Sequence, residues 1–297
     1  MAQALNAPIQ DDWSGEDVTI AQIERELARL RYESAREGAQ PNLRTSVMTH
    51  IAWVPPAWQH QAEETLAGMA ERHPSRTLLL VPRPDEPDGL DALVSLRCFP
   101  IGDRAICGEV VELTLRGERA HAPASIVLPL LISDLPVFMR WRGEPWWDSG
   151  ELEQLLGIVD RLVVDSTEWE GLPAPYARLA EWFDRVAVSD IAWDRTERWR
   201  SLLASLWPEI ASVRELRVHG TAAQGHLLAG WLRARLGHDV RLELDEQERL
   251  EGIDLDGRPA PFPPGRPPNA SDVLSAQLDR FGRDGVYEAA VRAATGA

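Results

Sequence analysis

The chain has 297 residues, a formal net charge of −16 and a pI near 4.9. A surface this acidic repels nucleic acid and anionic membrane, which argues against either as a partner. All 31 basic residues are arginine, which excludes lysine Schiff bases, lysine-anchored pyridoxal phosphate and the lysine-dependent phosphate loop.

Residues 1–17 are acidic and polar, lack the basic and apolar regions of a signal peptide, and read as disordered. No run of 18 apolar residues occurs, so the sequence predicts a cytoplasmic protein. Ile20, Ile23, Leu27 and Leu30 recur at helical spacing and predict a helix from Thr19 to about Glu37, with Gly38 as its stop. Residues 44–54 read as a strand ended by Pro55 and Pro56, Trp58–Glu71 as a helix, Arg76–Val81 as a strand and residues 82–89 as a loop. Leu93–Phe99 and Ile106–Leu115 flank a short Pro100–Asp103 turn and predict a hairpin. If Phe99 faces Ile106, Cys98 faces Cys107 and a bridge becomes geometrically accessible; in a reducing cytosol two buried thiols are the expectation.

Ala124–Ile132 reads as a helix, residues 136–141 as a strand, Glu151–Ile158 as a helix and residues 161–166 as a strand. Residues 167–175 look like a joint. Beyond it come helices Tyr176–Arg185 and Trp193–Trp207, a strand Glu215–His219 and a helix Thr221–Leu236. Two further strands, at residues 239–244 and 249–255, precede a loop at 259–269 and a terminal helix from Ser271 to about Ala294. Alternating helices and strands around one antiparallel hairpin predict an α/β protein. We read two domains, 18–172 and 173–297, each a mixed β-sheet flanked by helices.

Chemistry is hard to find in this chain. Seven histidines show no metal-ligand spacing, two cysteines cannot make a tetrahedral zinc site, and no G-x-S-x-G elbow occurs. HGTAAQG, residues 219–225, has the setting of a phosphate loop but lacks the Lys-Ser/Thr pair and the Gly-x-Gly pair, so it reads as an ordinary strand-to-helix turn. Asp165 and Ser166 end a strand, where α/β proteins place functional groups but where turns and caps also occur. Tryptophan and arginine stand out instead. Residues 128–147, LPLLISDLPVFMRWRGEPWW, carry Trp141, Arg142, Trp146 and Trp147 beyond what a core strand needs, and such side chains anchor protein contacts. Residues 189–200, SDIAWDRTERWR, place Trp193, Arg195, Trp199 and Arg200 on about two helical turns behind a capping Asp190; Trp199, Leu203 and Leu206 would equally make a core stripe.

Residues 128–147, the strand RLVVDS and SDIAWDRTERWR, with HIAWV and GHLLAGWLRARLG in support, together resemble the glucose-6-phosphate dehydrogenase assembly protein OpcA family over about residues 40–250. The resemblance implies a non-catalytic protein of two α/β domains without a cofactor. It implies association with bacterial NADP-dependent glucose-6-phosphate dehydrogenase, promotion of its active oligomer and a place in the oxidative pentose phosphate pathway. The candidate partner interface is Asp134, Arg140, Trp141, Arg142, Trp146, Trp147, Asp165, Asp190, Trp193, Arg195, Trp199 and Arg200. Two rivals stand beside it. One is a small-molecule binder or hydrolase with a pocket near Asp165, Ser166 and His219; the other is a Trp-rich domain that self-associates.

Overall fold

A computed structural model of the chain describes residues 9–37, 42–43, 46–62, 75–101, 104–265, 272–273, 276–277, 280 and 282–295. The chain divides into two compact units, Met1–Leu162 and Val163–Ala297. Among the described residues no helix is long and apolar enough to cross a membrane.

The first unit is built on strands β1 (Ile9–Gly15), β2 (Asn42–Leu43), β3 (Thr49–Trp53), β4 (Arg76–Arg83), β5 (Gly89–Ile101), β6 (Arg104–Arg116), β7 (Val137–Trp141) and β8, which begins at Arg161 and ends at Val164. Its sheet runs β1-β5-β6-β4-β3-β7-β8, with β2 also beside β6. Strands β6, β4, β3 and β7 are parallel neighbours, while β5 pairs antiparallel with β6 and β1 antiparallel with β5. Strands β3 and β7 are buried along their whole length and β4 along nearly all of it, as expected of parallel strands with both faces covered. Helix α1 (Ile20–Glu37) buries Ile23, Leu27 and Leu30 on one face. Two short helices, α2 (Glu118–His121) and α3 (Pro123–Val127), follow β6, and α4 (Gly150–Leu156) starts on a Ser149 cap that accepts from the Leu152 amide.

The mixed α/β architecture agrees with the sequence reading; several details do not. Ile9–Gly15, which composition marks as disordered, is an edge strand paired with β5. Polar composition describes an edge strand with water on one side as well as it describes a tail. The hairpin is real and places Phe99 opposite Ile106, so Cys98 meets Cys107. The structure joins them in a disulfide, correcting the expectation of two free thiols. Residues 1–8, the Gly38 stop, residues 63–71 of the expected helix, the turn residues 102–103 and the Ser271 cap lie outside the described residues.

The second unit contains α5 (Ala174–Ala180), β9 (Ala187–Asp190), α6 (Ile191–Arg195), α7 (Glu197–Ser205), β10 (Glu215–Gly220), α8 (Ala222–Leu236), β11 (Arg241–Glu246), β12 (Gly252–Leu255), β13 (Arg258–Pro259) and α9 (Gly285–Ala294). Strand β9 is hydrogen-bonded to β8, whose last residues Val163 and Val164 belong to this unit. A second sheet runs β11-β10-β12-β13, with β10 parallel to β11 and antiparallel to β12. Helix α8 lies close on α9 at Gly230, where an added Cβ would sit 2.1 Å from the Ala290 carbonyl oxygen. Three sequence expectations change here. The helix expected over Trp193–Trp207 is two helices that meet at Thr196, whose hydroxyl donates to the Trp193 carbonyl at 2.6 Å. The expected terminal helix is interrupted: residues 272–273 and 276–277 are helical, 280 and 282–284 are not, and α9 starts at Gly285, where Asp284 accepts from the Val286 and Tyr287 amides at 3.0 Å each. Strand β9 was not anticipated, because four residues are too few to show a period of two.

Candidate functional site

Two groups of side chains gather the sequence-selected residues, one in each unit. In the first unit they sit at the C-terminal ends of β3 and β7. Trp53 and Trp141 are register partners on these parallel strands, so their rings meet side by side. The indoles stack with centroids 5.0 Å apart and planes 20° from parallel. Trp146, in the loop after β7, closes over both by its edge, at 5.6 Å from Trp53 and 5.8 Å from Trp141. Offset stacks and edge contacts of this kind match the ring quadrupole and add to simple burial. Trp53 and Trp141 are fully buried, whereas Trp146 remains 40% exposed. Gly143, at a positive φ of 75°, lets the loop turn back, and Arg142 lies over the Trp58 ring at 5.7 Å. Trp147 is half-buried and donates from Nε1 to Glu144 at 2.7 Å. Arg140 is buried and donates to the Trp141 carbonyl oxygen. Asp134 is exposed, in a turn at φ 64°.

In the second unit the residues converge on a buried carboxylate. Asp190 ends β9 and caps α6, accepting from the Ala192 amide at 2.8 Å. It also accepts from the Ser166 amide at 3.1 Å, the Ser166 hydroxyl at 2.6 Å and the Tyr287 hydroxyl at 3.3 Å. The Ser166 hydroxyl lies 2.9 Å from that of Tyr176. Burial, with repulsion from Asp165 second, raises the Asp190 carboxyl to about 7, against the hydrogen bonds from Ser166 and Ala192 that favour its charge. Burial first, and the nearby Asp190 charge second, push both tyrosine hydroxyls well above their usual range. Asp165 accepts from Thr167 at 2.6 Å and pairs with Arg195 at 3.2 Å. Trp193 is buried, donates to Asp284 at 3.0 Å and carries the Arg200 guanidinium 3.5 Å from its ring centroid. Burial lowers Arg200 to about 10. Trp199 is buried against the exposed Phe262 ring at 5.8 Å.

The residues selected from sequence therefore divide. Arg140, Trp141, Asp165, Asp190, Trp193 and Trp199 are buried and hold the units together internally. Asp134, Arg142, Trp146, Trp147, Arg195 and Arg200 retain accessible surface. The SDIAWDRTERWR segment thus resolves toward its core reading for both tryptophans, because Asp190 turns the chain inward at their start.

The pocket proposed near Asp165, Ser166 and His219 does not form. Ser166 is fully buried with its hydroxyl held between Asp190 and Tyr176, so it has no access to a substrate. His219 belongs to the other sheet, where its ring bonds to Asp245 at 2.8 Å and Asp254 at 3.4 Å. HGTAAQG is a plain strand-to-helix turn: Thr221 and Gln224 form a reciprocal capping box that uses the helix's free donors. Its Gly225 serves packing, since a Cβ there would sit 2.2 Å from Leu244. Among the described residues no cluster of three or more His, Cys, Asp or Glu could hold a metal ion. Sequence reasoning missed Tyr176, Tyr287 and Trp53. The tyrosines carry no local signal, being distant in sequence from Asp190, whereas Trp53 was visible in HIAWV as a strand-terminal aromatic.

Comparison with known proteins agrees with the motif reading. Residues 66–181 match the family model described as glucose-6-phosphate dehydrogenase subunit N-terminal domain, and residues 186–262 match the corresponding C-terminal domain. A Nostoc punctiforme protein named for OpcA of the OxPP cycle is 31% identical over 182 residues, which is 57% of this chain and 39% of that protein. A Synechococcus elongatus protein of the same name is 28% identical over 225 residues, 66% of this chain and 50% of that protein. A Synechocystis relative is 25% identical over 182 residues, 57% of this chain and 38% of that protein. The chain thus spans half or less of the length of these curated relatives. Two consecutive domain matches in the family's own order, over the segments that carry its motifs, place this chain in the OpcA family.

Proposed function

We propose that this chain is a non-catalytic assembly factor and allosteric activator of bacterial glucose-6-phosphate dehydrogenase, acting by direct binding in the cytoplasm and so raising NADPH output of the oxidative pentose phosphate pathway. The observation that carries the reading is the pair of adjoining family matches, both described as domains of a glucose-6-phosphate dehydrogenase subunit. The chemistry of the side chains supports it. The one serine beside a carboxylate that sequence singled out is buried, while the exposed part of the motif set consists of tryptophan, arginine and aspartate side chains suited to contact. Asp134, Arg142, Trp146 and Trp147, near the end of β7, form the proposed docking face. An activator shifts an enzyme only if it binds the active state better than the inactive one. The chain is therefore expected to raise NADPH formation at low glucose 6-phosphate and to co-elute with the cognate dehydrogenase on size exclusion. Unchanged substrate response together with separate elution would overturn the proposal.

A further inference from the structure

The tryptophan cluster of the first unit holds an imbalance that burial alone does not explain. Trp53 Nε1 and Trp141 Nε1 are buried N–H donors with no hydrogen-bond partner among the described residues. Buried donors are almost always paired, because leaving one unmade forfeits its hydration without return. Here two lie side by side, on stacked rings, at the C-terminal ends of neighbouring parallel strands. That edge of an α/β sheet is where loops receive ligands. Trp146 packs against both rings by edge contacts and is itself 40% exposed, so it is the member of the cluster that faces solvent. Its loop hinges on Gly143 in the left-handed region at φ 75°, where glycine turns without strain.

We propose that Trp146 is a movable cover, and that docking swings it outward so that Trp53 and Trp141 donate their indole N–H groups to oxygen acceptors on the partner. This rests on the dehydrogenase reading above and deepens it: the occupant is an extended loop of the dehydrogenase presenting backbone carbonyls. Two donors without acceptors call for a segment rich in acceptors. The two buried rings stack on each other, so the acceptors must arrive with a segment that displaces Trp146. The displaced indole in turn becomes an aromatic anchor against the partner, gaining the burial it lacks in the free chain.

The test uses the full chain, labelled with 15N-tryptophan, and the intact cognate dehydrogenase. Indole resonances of Trp53 and Trp141 are assigned by Trp53→Phe and Trp141→Phe, and affinities of wild type, Trp146→Ala and Trp207→Ala are measured by calorimetry. Trp207, 65% exposed in the second unit, is the control for loss of any surface tryptophan. The expected result is a downfield shift of both indole N–H signals on binding. Trp146→Ala is expected to lose at least about tenfold in affinity with Trp207→Ala unchanged, since central aromatic anchors are worth that much or more. If Trp146→Ala does not fold, Trp146→Phe keeps the cover and is expected to bind more weakly than wild type at unchanged melting temperature. A complex that forms with Trp146 variants at wild-type affinity, or without movement of the two indole signals, overturns this inference and leaves the assembly role standing. Absence of any complex with the wild-type chain overturns the assembly role, and this inference with it.

Discussion

The two units end strands in opposite ways. In the second, Asp190 at the end of β9 accepts four hydrogen bonds, from Ser166 twice, Ala192 and Tyr287. In the first, Trp53 and Trp141 at the ends of β3 and β7 have buried N–H groups and no acceptor among the described residues. The Asp190 network is closed: every partner named comes from the same unit, and the network can only lose by change. The tryptophan pair is open: the ring packed against it, Trp146, is 40% exposed, and the pair has donors to spare. Polar groups fully satisfied inside a fold speak for structure, whereas unsatisfied ones speak for something outside it.

Mutations should separate the two. The largest effect is expected from Asp190→Ala, which strips a helix cap and leaves Ser166, Ala192 and Tyr287 donors unpaired; unfolding of the second unit in urea should lose about 3–4 kcal/mol. A change under 1 kcal/mol, roughly one lost exposed bond, would show the network to be slack. Ser166→Ala comes next, removing one donor while retaining the Asp190 cap, at about 2 kcal/mol by the same measurement. Trp141→Phe is expected to move stability least, within about 1 kcal/mol of zero, because the small cavity it leaves is offset by removal of an unpaired donor. A loss as large as that of Ser166→Ala would mean that the indole N–H is paired after all.

The pH dependence sharpens the same contrast. Asp190 holds its proton up to about 7 in the folded chain, above the ordinary carboxylate range it returns to when unfolded. The folded state therefore binds protons that the unfolded state releases between those values. The contribution is complete below the ordinary carboxylate range and is lost as pH rises through about 7. Urea midpoints of the second unit should fall from pH 5 to pH 8, and Asp190→Asn should flatten that slope. Trp53, Trp141 and Trp146 do not titrate, so Asp190→Asn should leave the pH dependence of signals from the first unit unchanged.

Some of this was legible in the residues. The hairpin, its Phe99–Ile106 register and the helix cap at Asp190 follow from local patterns of alternation and capping, which act over a few residues. The family was legible too, because motif order survives in sequence. The division of the tryptophans was not. Trp141, Trp146, Trp193 and Trp199 all lie within a few residues of arginines and acids, yet of these four only Trp146 keeps a large exposed face. Burial depends on which strands become neighbours, and residues 53 and 141 meet only because β3 and β7 pair.

By itself, then, the sequence determined the alternation of helices and strands, the acidic surface, the absence of lysine chemistry and the family, since each is carried by composition or short-range order. It took packing to seal Ser166 beside Asp190, to join Cys98 to Cys107, and to stack Trp53 on Trp141 with both indole donors unpaired among the described residues. Each of these is a meeting of residues from separate strands or helices, and such meetings are set by the packing of whole elements rather than by the neighbours of any one residue.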